Sequence, residues 1–252
     1  MLRQAGERIG TGDGALVAIT WRTVRLAVES TAIALVIGLP VAHLIAGGAT
    51  RARRVGLMVA NAGLGLPPVV LGIYLALVLL PASPLGGLNW TYTLTAIVVA
   101  QTLLALPIVV ALTASAIRSL PGGLLEQARA FGASGPQRAV LALREARIGV
   151  IAAVIVALGS AVAEVGAVVI VGGNVRGQTN TLASTVLLDL AAGDAAGATA
   201  DVLVLLLLVL VLGAGLTVVQ HRGPGRSPPR RRRRGRGRRR GPRLAVSENI
   251  PA

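Results

Sequence analysis

Five stretches of this 252-residue chain are each apolar enough and long enough to cross a lipid bilayer, and no other property of the sequence restricts its fold so strongly. A helix needs about 20 mostly apolar residues to span the hydrocarbon layer. Residues 26–45, 56–80, 93–116, 148–171 and 202–219 meet that requirement, the last as almost unbroken Leu and Val. Inside lipid every backbone polar group must be satisfied internally, so these stretches read as helices. The expected fold class is therefore all-α, a polytopic bundle of about five transmembrane helices.

Composition agrees. Hydrophobic residues make up 54% of the chain and charged residues 14%, with a mean hydropathy of +0.73. A soluble domain carries roughly a quarter of its residues charged, so a soluble enzyme is excluded. There is no cysteine, which removes disulfides, thiol catalysis and Cys-ligated metals. Only His43 and His221 remain as imidazoles, and no Ser/His, paired-Asp or metal-ligand constellation is present. No metal site and no cofactor bound by this chain is expected. Pro67-Pro68 interrupts the second span and Pro107 lies within the third. Backbone groups freed by proline in a membrane need cover from neighbouring helices, which predicts a packed bundle rather than isolated anchors.

The net charge of +15 is concentrated in one place. Residues 221–252 hold 12 of the 25 arginines and one of the ten acids, Glu248. This tail lacks the apolar residues needed for a core and reads as disordered. In the spans' connections the arginines also fall to one side. Arg51, Arg53, Arg54, Arg118, Arg129, Arg138, Arg144 and Arg147 share it with the tail. The other side receives an uncharged loop at 81–92 and a loop at 172–200 with Arg176 against Asp189 and Asp194. Basic loops stay in the cytoplasm, so the 51–54 loop, the 118–147 loop and the C-terminal tail are expected inside, and the N-terminus outside. Residues 1–20 read as a short polar arm, partly helical near 16–21, with no cleavable signal peptide. The expected organisation is then an arm at 1–20, a transmembrane domain at 21–220 and the tail at 221–252.

The cytoplasmic loop 118–147 carries most of the functional information. Pro121 can open a first short helix running through Glu126 to Ala130, and Gly132 supplies the freedom to end it. Ser134-Gly135-Pro136-Gln137 has the S-x-x-Q spacing of a capping box, with Pro in the first turn. The second helix is expected to expose Gln137, Arg138 and Arg144 and to bury Val140, Leu141 and Leu143. Helix, glycine hinge and helix on the cytoplasmic face form a surface suited to docking a partner.

Within this loop Glu126-x-Ala128-x-x-x-Gly132 resembles the EAA motif of ABC-importer permeases, the segment that contacts the ATP-binding subunit. The likeness extends through Gly132-Ala133-Ser134, Leu143-Arg144-Glu145-Ala146-Arg147, Ala163-Glu164-Val165-Gly166 and Val171-Gly172-Gly173-Asn174. With Asn61-x-x-x-Gly65-Leu66-Pro67-Pro68-Val69-Val70-x-Gly72 in the second span, it resembles the tungstate-type branch of the molybdate/sulfate permease group. EAA loops often close with Ile-x-Leu-Pro, where this chain has Ala142-Leu143-Arg144-Glu145; that departure speaks against the sulfate-like members. The resemblance covers about 21–220. It implies the type I ABC-importer permease fold and the import of a small oxyanion, tungstate, with molybdate and sulfate as rivals. It also implies a permease homodimer, two ATP-binding subunits and an extracytoplasmic substrate-binding protein. The docking residues it implies are Glu126, Ala128, Gly132, Ala133, Ser134, Gln137 and Arg138. ATP is expected on the partner, since this chain has no G-x-x-x-x-G-K-[ST] and no lysine.

Two further candidates come from the residues themselves. Glu164 is the one acid well inside a confident span, about 24 Å along a helix that enters near Ile148. It would repel an oxyanion, so with Gly166 it is a structural or gating candidate, its carboxylate paired or hydrogen-bonded. Gly172, Gly173, Asn174 and Arg176, followed by Thr179, form an outer-loop candidate, with donors for an oxyanion or a docking protein against the reading of an ordinary turn. His43, one turn past Pro40, reads as an interfacial or packed residue. Rival functions are a stand-alone carrier or channel, which would need internal coupling carboxylates, and a membrane-tethered nucleic-acid binder using the Arg tail. The tail has no interleaved aromatics, and a membrane-hugging extension is the expected role.

Overall fold

The structure is a computed structural model that describes residues 2–10, 13–47 and 50–221. The Arg-rich tail beyond His221 lies outside the described residues, and with it the expectation of its disorder. Among the described residues there are eleven α-helices, one 3-10 turn and no strand. They are α1 Leu2–Gly10, α2 Gly14–Ala46, α3 Arg51–Gly63, α4 Pro68–Leu79, the 3-10 turn Gly86–Leu88, α5 Leu94–Arg118, α6 Leu124–Ala130, α7 Gly135–Glu145, α8 Arg147–Val162, α9 Gly166–Gly172, α10 Leu182–Ala191 and α11 Ala195–His221. The all-α expectation holds.

Three helices, α2, α5 and α11, are single apolar rods long enough to cross a membrane. The second and fourth expected spans are each divided in two. α3 and α4 meet at 102° and α8 and α9 at 57°. The first bend follows from Pro67-Pro68: Pro67 is held in extended backbone and Pro68 occupies the first turn of α4, where its missing N–H costs least. Pro40 and Pro107, by contrast, lie inside uninterrupted helices. Gly63 at the end of α3 sits on Pro107, where a Cβ would come within 2.7 Å of the ring.

α5 forms the centre of the bundle, with α2, α3, α8 and α9 packed around it. Small residues face inward at helical spacing: Ala27, Thr31, Ala34, Gly38 and Ala42 on α2, Ala96, Ala100 and Ala105 on α5, and Ala153, Ala157 and Ala161 on α8. Lipid offers no hydrophobic drive for helix association, so close backbone approach through small side chains holds such a bundle together. Gly38 lets α2 lie close on α5, since a Cβ there would lie 2.7 Å from Val109 Cγ1. Many large apolar side chains point outward, among them Val36, Met58, Tyr74, Leu207 and Leu210.

Two elements depart from the expectation. Within the arm, residues 2–10 and 14–20 are helical: α1 packs on α11, and α2 begins at Gly14, where Asp13 Oδ1 accepts the Ala15 N–H at 3.0 Å. With 33 residues, α2 is about 50 Å long and projects beyond a hydrocarbon core of about 30 Å. The outer loop 172–200 contains α10, which packs on α11, while Leu16, Ile19 and Leu182 share a cluster with Val204, Leu205 and Leu208.

The connections segregate to two ends. At one, the Tyr92 N–H donates to Val171 O at 3.0 Å, joining the loop before α5 to the turn after α9. At the other, Ala46, Ile117, Leu125, Ala142, Leu143 and Ala146 share an apolar cluster that seats α6 and α7 on the ends of α2 and α5. The loops rich in arginine lie at this second end.

Candidate functional site

The 118–147 loop is built as helix, hinge and helix. Gly123, in left-handed backbone at φ +89°, starts α6, and Glu126 falls in its first turn, where a carboxylate is favoured by the helix dipole. The helix ends at Gly132 with φ +85°. There the Ala133 N–H donates to Ala128 O at 2.9 Å and the Gly132 N–H to Arg129 O at 2.9 Å, the paired bonds of a Schellman C-cap. The Ala and Gly of the motif thus share one termination device. Next, Ser134 opens α7 and its backbone N–H donates to Gln137 Oε1 at 2.8 Å, with Pro136 in the first turn.

The two helices are amphipathic in a way that leaves one face free. Leu125, Leu143, Ala142 and Ala146 turn toward the bundle. Glu126, Gln127, Arg129, Gly132, Ser134 and Gln137 are exposed, and Ala128, Ala133 and Arg138 are half-buried. Val140 is exposed, contrary to the expected burial, and Leu141 and Leu143 are only half-buried; the tightly buried positions on α7 and just after it are Ala142 and Ala146. Small residues there let α7 lie close on Ile117. Arg138 turns partly inward rather than to solvent.

Phe131, absent from the expected set, dominates the free face. It is the single Phe of the chain and stands 91% exposed between α6 and Gly132. An aromatic ring held in water by a rigid hinge is the type of residue that anchors protein interfaces. The signal was available, as this is the one aromatic residue in the 118–147 loop.

Glu164 and Gly166 belong to the break in the fourth span. Glu164 Oε1 accepts the Ala167 N–H at 2.9 Å in the first turn of α9. On the other side of the break, Gln101 of α5, 2% exposed, donates from Nε2 to Ala161 O at 3.0 Å. Ser30 Oγ lies 3.3 Å from Gln101 Oε1, and Thr102 Oγ1 donates to Ser30 O at 3.3 Å. Glu164 and Gln101 therefore each bond a backbone group beside the break between α8 and α9, where a bilayer offers no water to do so. Gly166 lets α9 approach α4, since a Cβ would meet Val69 Cγ2 at 2.6 Å; at Gly72 it would meet Ala167 Cα at 2.8 Å. Gln101 was not singled out in the sequence, although it is the one side-chain amide within the third span.

The outer-loop candidate is largely self-contained. Gly173 at φ +69° closes α9 against the Tyr92 ring. Asn174 Nδ2 donates to Ser184 O at 3.1 Å, Arg176 Nη2 pairs with Asp189 Oδ1 at 2.7 Å, and Thr179 Oγ1 donates to Gly172 O at 2.6 Å. Arg22 clamps the turn from α2, with Nη1 on Asn180 Oδ1 at 2.7 Å and Nη2 on Gly177 O at 2.6 Å. The donors of Asn174 and Thr179 are directed into the chain. Gly172 is buried against Ile97.

Comparison with known proteins places this geometry. Residues 34–222 match the family described as binding-protein-dependent transport system inner membrane component. A probable anion ABC transporter permease protein of Haloferax volcanii is 34% identical over 184 residues, covering 71% of this chain and 79% of the relative. The tungstate uptake system permease protein TupB of Peptoclostridium acidaminophilum is 29% identical over 192 residues, covering 76% and 84%. In structure, the inward-facing MetNI methionine ABC transporter matches with a TM-score of 0.66 at 23% identity, over 82% of this chain and 95% of that one.

Proposed function

The chain belongs to the family of binding-protein-dependent transport system inner membrane components, and from that premise we propose that it is the membrane-spanning subunit of an ATP-binding-cassette importer for a small oxyanion, tungstate. It is a transport subunit rather than an enzyme. The partners are an ATP-binding subunit, an extracytoplasmic substrate-binding protein and a second copy of this chain. The protein resides in the cell membrane as a multi-pass subunit, with the arginine-rich end and the tail in the cytoplasm. ATP acts on the partner: this chain has neither lysine nor a phosphate-cradling Gly-rich loop.

The observation that carries this reading is the docking unit. α6, the Schellman turn at Gly132 and α7 form one rigid piece, seated by Leu125, Ala142 and Ala146 on Ile117 at the end of α5. Closure of an ATPase dimer beneath two such loops moves them together. Because α5 is the helix around which α2, α3, α8 and α9 pack, displacement of its end rocks the bundle instead of bending one helix. That motion turns the cavity between two copies outward, where the binding protein delivers the anion.

Tungstate, molybdate and sulfate are all tetrahedral dianions, and the interiors of the spans place no arginine to separate them by size. The choice among them rests with the binding protein. A stand-alone carrier would need coupling carboxylates, whereas Glu164 is committed to the α9 backbone.

The test is uptake of labelled tungstate by cells expressing the permease with its ATPase and binding protein, with molybdate and sulfate as competitors. Gly132→Val and Glu126→Lys should insert at normal levels, lose the ATPase in detergent pull-downs and abolish ATP-dependent uptake. Normal uptake by both variants would sink the docking assignment and favour the stand-alone carrier.

A further inference from the structure

Behind the docking helix lies a cavity of about 280 Å³ that none of the roles above uses. Five helices line it: the end of α2 with His43, Leu44 and Ala46, and one residue each from the others, Arg53 of α3, Ile117 of α5, Leu125 of α6 and Arg138 of α7. Its ionisable groups are thus two guanidinium groups and one imidazole, and no carboxylate lines it among the described residues. Arg53 is held at its rim, where Nη1 donates to Gly47 O at 3.3 Å.

Two polar atoms in this lining stand out. His43 Nδ1 and Arg138 Nε are both buried and have no hydrogen-bond partner among the described residues. A guanidinium drawn inward without an acceptor is costly, because the charge gives up hydration and gains no counter-charge. Arg138 nevertheless turns inward while its neighbour Gln137 stays in solvent. Two guanidinium groups and an imidazole share one concave space that no carboxylate lines, and two of their nitrogens have no partner among the described residues. Arginine forks match the oxygens of a tetrahedral dianion, and the His43 tautomer protonated at Nδ1 adds a further donor.

We propose that this cavity binds a phosphate-like oxyanion, either as a free ion from the cytoplasm or as the phosphate of an anionic lipid headgroup. Both sources present the same chemistry to the same three side chains. A bound anion would bridge α2, α3 and α7, and so tie the docking helix to the first two spans. The site stands on the cavity alone; only its effect on coupling rests on the transport reading.

The experiment uses the full chain purified in an uncharged detergent. Inorganic phosphate and tungstate are titrated by calorimetry and by thermal shift, and phospholipid retained through purification is measured by native mass spectrometry. Arg53→Gln and Arg138→Gln are compared with Arg129→Gln, an exposed arginine of α6 outside the cavity. Saturable binding of either ion that weakens about tenfold or more in both cavity variants, and is unchanged in Arg129→Gln, supports a free oxyanion. An anionic phospholipid retained by the unsubstituted chain and by Arg129→Gln but absent from Arg53→Gln supports the headgroup. Arg53 is exposed at the rim, so its replacement leaves the bundle folded even if Arg138→Gln does not. If neither ion nor phospholipid is held, or if Arg53→Gln holds them as well as the unsubstituted chain, the proposal is overturned.

Discussion

Phe131 and Glu164 show how differently two single residues can matter in this chain. Phe131 is almost wholly in water, so replacing it removes no packing within the chain. Phe131→Ala should keep its melting temperature within a degree or so, yet weaken ATPase binding by about 2 kcal/mol, roughly thirtyfold, as expected for an interface anchor. Side-by-side affinity and melting measurements check this; equal affinity would show that the ring contacts nothing in the complex. Glu164 acts inside the chain, where its carboxylate accepts the Ala167 N–H. Glu164→Gln keeps an acceptor and should melt close to the unsubstituted protein. Glu164→Leu removes the cap of α9 and should cost about 1 kcal/mol or more, a drop of roughly 2–4 °C. Equal melting of the two variants would remove the capping role.

At the scale of elements, the two broken spans depend on each other. α4 and α9 are each too short to cross a bilayer, with 12 and 7 residues, and they pack face to face. Gly72 sets that contact, because a Cβ there would lie 2.8 Å from the Ala167 backbone, which cannot rotate away. Gly72→Leu should separate the pair and destabilise the bundle by about 1–3 kcal/mol, read as lost expression and a lowered melting temperature. Gly132 is a different case: nothing lies within 4 Å of a Cβ built there, and only its positive φ resists substitution. Gly132→Asn, which tolerates left-handed backbone, should therefore retain docking that Gly132→Val loses.

For the whole molecule the testable property is sidedness. The chain contains no cysteine, so single cysteines report access directly. Ala82 and Gln178 are exposed at the end formed by the 80–93 connection and the turn after α9, and Gln127 is exposed at the docking end. Ala82→Cys and Gln178→Cys should react with an impermeant thiol reagent in intact cells, and Gln127→Cys only after lysis. Thr179 would be a poor reporter despite its place in the loop, because it is buried and its hydroxyl bonds to Gly172 O and the Val175 N–H. The opposite labelling pattern would invert the assigned orientation and remove the docking loop from the cytoplasm.

Sequence alone was sufficient for whatever depends on neighbours along the chain. Spans are runs of apolar residues, the hinge at Gly132 needs only its own φ, and Ser134 with Gln137 is a local device four residues long. Charge asymmetry is likewise a count over short loops. Folding decided what depends on residues far apart. Both Pro67-Pro68 and Pro107 are proline in an apolar run, yet one is a 102° corner and the other an unbroken helix resting against Gly63. The helical arm, α10 and the sealed outer turn rest on contacts such as Arg22 to Asn180, 158 residues apart, which no local pattern encodes. Gln101 reads as one amide in a hydrophobic helix until α8 stops beside it and presents the Ala161 carbonyl to its side chain. The bilayer explains the division: it demands a helix from any long apolar run, but which helix breaks, and which side chain covers the break, is settled by packing.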